Sequence, residues 1–166
     1  MRMIKKNHYK GKGTMDNLIF KYELYDAWET PVHGISVYGK DRDNVEATYW
    51  SLSPFSKDKA GANVYSLSKD DINKIINVIE CNISILDVKK VEMPFVIDGV
   101  INKFVIRLED IENEIRAFNI GVLQDKNAFT FEGTRENADI VLGLFNEISK
   151  VLIENGVDPR YLELDI

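Results

Sequence analysis

Residues 18–25 read LIFKYELY, with Leu18, Phe20, Tyr22 and Leu24 alternating against Ile19, Lys21, Glu23 and Tyr25. A period of two predicts a strand with one buried side. AWETPVHG (27–34) carries Pro and Gly punctuation and predicts a loop. ISVYGK continues as a second strand, Ile35 and Val37 inward and Tyr38 outward. The KDRDN cluster predicts a turn. VEATYWSL (45–52) predicts a third strand, but it is apolar on both sides, so its inward face stays open. SPFSKDKAGAN (53–63) reads as a polar loop.

The period then changes. In SLSKDDINKIINVIECNI, Ser68 stands where a helix cap belongs, Asp70 and Asp71 suit the first turn, and Ile72, Ile75, Ile76, Ile79 and Ile83 form one stripe. FVIDGVINKFVIRL (95–108) returns to strand. Asp98-Gly99 predicts a two-residue hairpin loop joining strands at about 88–97 and 100–109, because Asp-Gly tolerates the positive φ such turns need. That register sets Ile97 against Val100 and Phe104 against Met93, and makes Asp98 a corner rather than a reagent. The acidic turn EDIENE (109–114) leads into IRAFNIGV, where Phe118, Ile120 and Val122 alternate, and LQDKN turns into AFTFEG. The last helix lies within 134–156, with Val141, Leu144, Phe145, Ile148 and Leu152 on one face and Gly156 and Pro159 as its stop. RYLELDI predicts a short strand or a packed tail.

Strands, helix, strands, helix, with hairpin-length connections, predict an α+β fold. The expectation is a mainly antiparallel sheet of about six or seven strands, with two amphipathic helices packed on one face. The halves are alike in layout but show no residue-level repeat, so duplication stays open.

YSLSKDDINKIINVIE, then VIDGVINKFVIRL, then a further hairpin and a closing amphipathic helix resemble a broad group of small uncharacterised bacterial α+β proteins. Their shared feature is a capped helix followed by a hydrophobic-hydrophobic-Asp-Gly hairpin. The resemblance spans roughly residues 60–155. Some of that group resemble immunity or inhibitor proteins of bacterial toxin systems, which implies a protein partner. The chain departs from the group just after Asp-Gly, where VINKF stands in place of an early aromatic.

Composition narrows the chemistry. The 166 residues are 45% apolar and 29% charged, typical of one globular domain. The net charge is −6, unsuited to a phosphate-backbone binder. Residues 1–14 hold Arg2, Lys5, Lys6, Lys10 and Lys12 and no acid; setting those five cations against −6 leaves −11 for residues 15–166. They read as a flexible basic tail before a single domain at 15–166, without the apolar stretch of a signal peptide. One cysteine, Cys81, excludes an internal disulfide and a multi-cysteine metal site, and reads as a semi-buried hydrophobe in a reducing, cytoplasmic setting. No apolar run is long enough to span a bilayer, so no membrane partner is expected.

Catalytic motifs are absent: there is no G-x-S-x-G, P-loop or H-E-x-x-H. His8 and His33 read as solvated residues of tail and loop. DRDNVE (41–46) starts like a calcium loop but lacks its glycine and distal acid. Glu109, Asp110, Glu112 and Glu114 read as a solvated acidic turn. No catalytic residue, metal or cofactor is assigned.

The aromatics draw more interest. With helices on one side of the sheet, Tyr25 and Tyr38 point to the other, with Tyr49 or Trp50 beside them and Trp28 on the adjoining loop. Tyr and Trp bury much area at small entropic cost in protein interfaces. The competing reading is packing in the core or its rim. The sequence-based expectation is therefore a non-enzymatic protein-binding module, an inhibitor or immunity-type protein. Two alternatives stand beside it: a small hydrolase or ligand-binding enzyme using Asp and Glu, and an acidic mimic of nucleic acid. Neither a nucleic-acid partner nor a membrane is expected, and a homodimer is left open.

Overall fold

A computed structural model describes residues 17–40, 42–50, 61–92 and 99–166. The tail assigned to 1–14, the corner at Asp98, Asp41 of the calcium-like run and residues 51–60 lie outside the described residues. The strands are β1 (Leu18–Tyr25), β2 (Pro31–Tyr38), β3 (Asn44–Tyr49), β4 (Gly61–Ser66), β5 (Lys90–Val91), β6 (Ile101–Leu108) and β7 (Ile111–Phe118). The helices are α1 (Lys69–Cys81) and α2 (Glu132–Glu154). The seven strands among the described residues form one sheet in the order β4-β3-β2-β1-β6-β7-β5, antiparallel except for the parallel β5–β7 pair. The α+β expectation is met, with the described helices on one face.

Pairing explains that face. Tyr22 lies between Ile35 and Phe104, and Phe20 between Val37 and Ile106, so the odd positions of β2 and β3, the even positions of β6 and those of β1 from Phe20 onward share a side. Phe145 of α2 packs there, its ring centroid 4.9 Å from Tyr22, 5.6 Å from Phe104 and 6.5 Å from Phe20. α1 lies against α2 and buries Ile72, Ile75 and Ile79. Its start is as expected: Ser68 Oγ accepts from the Asp71 N–H, and Asp70 and Asp71 occupy the first turn. α2 ends in a Schellman motif, with Gly156 at φ 88°, its N–H on Ile153 O and the Val157 N–H on Leu152 O.

Several expectations are corrected. Lys90–Val91 does not form a hairpin with β6. β1 and β7 flank β6 on its two sides, and Phe104 sits between Tyr22 and Ile115 rather than against Met93. The hairpin that β6 does make is with β7, closed at Leu108–Ile111 by Glu109-Asp110, where Glu109 takes φ 54° without a glycine. Residues 61–63, read as the end of the polar loop, open the edge strand β4. α1 stops at Cys81, leaving Cys81 and Ile83 exposed, and Ile85 in the following 3-10 turn takes the buried place. β7 ends at Phe118 because Asn119 turns left-handed at φ 50°, so Ile120 is buried and Val122 exposed. AFTFEG is not a strand. Arg135 donates to the carbonyls of Leu123 and Ala128 and gathers the preceding loop, leaving Phe129 and Phe131 exposed beside each other.

The loop around His33 is also corrected: β2 begins at Pro31, and His33 is buried on the helix side. Its Nε2–H donates to Glu163 O at 2.9 Å, and the Tyr22 hydroxyl donates to the same carbonyl at 2.7 Å. Asn102, fully buried, donates to Leu164 O and to Tyr22 Oη, and accepts from the Ile120 N–H. The closing RYLELDI is thus a packed strap, not a strand. Burial holds the His33 pKa below its ordinary value despite the carbonyl it bonds. The unfolded chain then binds a proton that the fold refuses. His33 contributes stability above pH 6.5, its ordinary value, and that contribution is lost as pH falls through the lowered folded value. Urea midpoints between pH 8 and about pH 4.5 are expected to drop, and to drop less in His33→Gln. The half-buried Asp71 and Asp158, both lowered from 3.8 by their hydrogen bonds to Ser68 and Arg160, act in a more acidic window.

Candidate functional site

The opposite face of the sheet carries Lys21, Glu23 and Tyr25 of β1, Gly34, Ser36 and Tyr38 of β2, and Lys103, Val105 and Arg107 of β6. Glu46 and Thr48 of β3 and Glu112, Glu114 and Arg116 of β7 extend it. No described helix lies on it. Its centre is a buried carboxylate: Glu23 is 8% exposed, accepts from the Tyr25 hydroxyl at 2.7 Å on Oε2, and pairs with Lys21 on Oε1. Gly34, opposite Glu23, makes this possible. A Cβ there would stand 2.9 Å from Tyr22 O, 3.0 Å from Glu23 Cγ and 3.4 Å from the Trp50 ring. Burial, then the bond to Glu23, pushes the Tyr25 phenol above its ordinary pKa, so it remains a donor at physiological pH.

Toward β7 the charges alternate. Lys103 pairs with Glu114 at 3.2 Å, and Arg116 pairs with Glu29 on the β1–β2 hairpin. Tyr25, Glu29, Ile101, Lys103 and Arg116 line a shallow cleft of about 160 Å³. The hairpin above it is held closely. Asp26 Oδ1 accepts from the N–H groups of Trp28 and Thr30, both at 2.9 Å, its own N–H reaches Thr30 O, and Glu29 takes φ 59°. At its tip Trp28 is 86% exposed.

The five aromatics separate. Tyr25 bonds Glu23 and Trp50 reaches Gly34 opposite it, both on the helix-free face, and Trp28 stands on the turn of the adjoining β1–β2 hairpin. Tyr38 is on the same face, but four residues along β2 from Gly34, or about 13 Å at ordinary strand rise. There Arg42 Cζ covers its ring at 3.7 Å, and Arg42 also pairs with Glu46. Tyr49 is on the other face, because Val45 and Ala47 are the buried residues of β3; it stacks on His33 and packs against the core. The face of the third strand, open in the sequence, is thereby assigned.

Glu23, Gly34, Lys103 and Arg116 were not singled out from the sequence. Their meaning depends on register, which puts Glu23 opposite both Gly34 and Lys103, and Lys103 opposite Arg116. Among the described residues no group of three or more His, Cys, Asp or Glu is placed to hold a metal ion, and no helix is long and apolar enough to cross a membrane. No family model matches the chain, and no curated protein matches it.

Proposed function

We propose that this chain is a non-enzymatic protein-binding module, of the inhibitor or immunity type, that engages its partner with the β1–β2 hairpin and the adjoining helix-free face. The observation that carries this is Trp28. An indole left in water on a loose loop signifies little. Here it stands on a turn fixed by five hydrogen bonds and ion pairs around Asp26 and Glu29. A rigid, exposed aromatic anchor above a polar, ion-paired rim is the arrangement that dominates binding energy in protein interfaces.

The hydrolase reading has less support. Both oxygens of Glu23 are occupied, and the one carboxylate in the nearby cleft, Glu29, is paired with Arg116. A nucleic-acid mimic needs one continuous negative face. Exposed acids occur both on the helices, at Asp70, Glu136 and Glu147, and across the sheet at Glu114, where Lys103 and Arg116 neutralise them.

The test is affinity capture from native lysate of the source cells with wild-type and Trp28→Ala baits. A stoichiometric partner is expected whose affinity falls at least about 30-fold in Trp28→Ala, a hot-spot loss of about 2 kcal/mol. Tyr38→Ala, remote from the hairpin and already covered by Arg42, is expected to change it less than about threefold. No partner, or a partner indifferent to Trp28, rejects the reading.

A further inference from the structure

We propose that two copies of this chain join through antiparallel pairing of β4 with its counterpart, about a two-fold axis at Val64. β4 is a sheet edge, and among the described residues no strand pairs with its outer side. Such an edge presents a row of unpaired N–H and C=O groups, which proteins ordinarily guard with charge, proline, a bulge or extreme shortness. The two ends of this sheet differ in that respect. β5, at the far end, is two residues long, and its Lys90 is ion-paired with Glu92. β4 is six residues, GANVYS, with no charge, no proline, and an unbroken register against β3.

The choice of a second copy over a different strand follows from self-complementarity. Paired residues must point to the same side of a sheet. Asn63 and Tyr65 face the helices, as Asn63 bonds to Tyr161 Oη and Tyr65 packs on the core, so Ala62, Val64 and Ser66 face the other way. A two-fold at Val64 keeps those sides. It sets Val64 on Val64, Ala62 on Ser66 and Asn63 on Tyr65, all uncharged. Val64 is 65% exposed and is the strand's large apolar side chain on that face; the axis buries it against itself. The chain's net charge of −6 opposes self-association elsewhere. Among the residues of β3 and β4 the one acid on the same face is Glu46, already paired with Arg42. The two Glu46 residues would lie three strand spacings apart, about 14 Å, beyond the screening length of about 8 Å at physiological salt. A two-fold contact uses both β4 edges, and the outer edges that remain are the two-residue β5 strands, so the pairing closes as a dimer whose described strands form one sheet of fourteen instead of growing into a fibre.

One strand pair buries less than the area of a standard stable complex, so the dimer is expected to be concentration-dependent, in the micromolar range. Sedimentation equilibrium from about 5 μM to about 1 mM should show the mass rise from one chain to two. Val64→Lys, at an exposed site, should keep the wild-type melting temperature and remain a single chain throughout. In a Cys81→Ser background, Val64→Cys should form a disulfide-linked dimer on mild oxidation. Ala62→Cys, opposite Ser66 and roughly 14 Å from its own copy at ordinary strand rise, should not. The proposal fails if the wild type is monomeric over the whole range, including the case where β4 amides become protected only on adding another protein. It fails equally if Val64→Lys still dimerises, or if Ala62→Cys cross-links as well as Val64→Cys.

Discussion

Phe145→Ala is expected to cost about 3–5 kcal/mol of unfolding free energy, the range for a buried aromatic cut to alanine. The ring is almost fully buried and is shared by three strand aromatics: Phe20 and Tyr22 of the central strand and Phe104 beside them. Its loss leaves a void that Phe20 and Phe104 cannot fill, since their backbones are fixed by pairing on both sides. For a chain of this length the melting temperature should fall by about 10 °C or more. Leu142→Ala, on the same helix but without the aromatic contacts, serves as comparison and should cost about 2–3 kcal/mol. Equal losses at the two positions would mean that the aromatic cluster adds nothing beyond buried area.

Asn102→Leu is expected to destabilise by about 2–4 kcal/mol although it conserves volume and adds apolar surface. The cost comes from the partners left behind. The Ile120 N–H loses its acceptor, and Leu164 O and Tyr22 Oη lose a donor, all inside the core. Tyr22→Phe is the contrasting change. It removes the bond to Glu163 O, which His33 still reaches, and the acceptor of one Asn102 N–H, while Asn102 keeps Leu164 O and the Ile120 N–H, and should cost about 1–2 kcal/mol. Chemical denaturation of both variants separates the two cases; a Tyr22→Phe loss as large as that of Asn102→Leu would contradict this account of the network.

What the sequence made legible was whatever depends on neighbours along the chain. The capped isoleucine helix as far as Ile79, the α2 stripe with its Gly156 stop, and the alternation of β1 from Phe20 onward are local patterns that stand where the periodicity put them; a bulge before Phe20 turns Ile19, not Leu18, to the core. The failures are of longer range. Asp98-Gly99 has the composition of a hairpin turn, but β6 had stronger partners in β1 and β7, which add a full eight-residue register on one side. The real β6–β7 turn uses Glu109, which turn statistics disfavour at positive φ. GANVYS has no alternation to detect because β4 buries little of either face. The site followed the same rule. Tyr25, Tyr38 and Trp28 were placed by β1 and β2, whose phase was clear. Tyr49 and Trp50 waited on β3, and Glu23 could not be seen as buried until register set it against Gly34.

The strap that closes the core is gripped by its carbonyls. Tyr22 and His33, 141 and 130 residues before Glu163, hold backbone oxygen rather than side chains. During synthesis the central strand therefore leaves the ribosome early and waits, its inner face unroofed, until nearly all of the described chain has followed. Contacts of such span make for slow folding. In that interval the bare sheet is exposed to chaperones and to misassembly with other nascent chains.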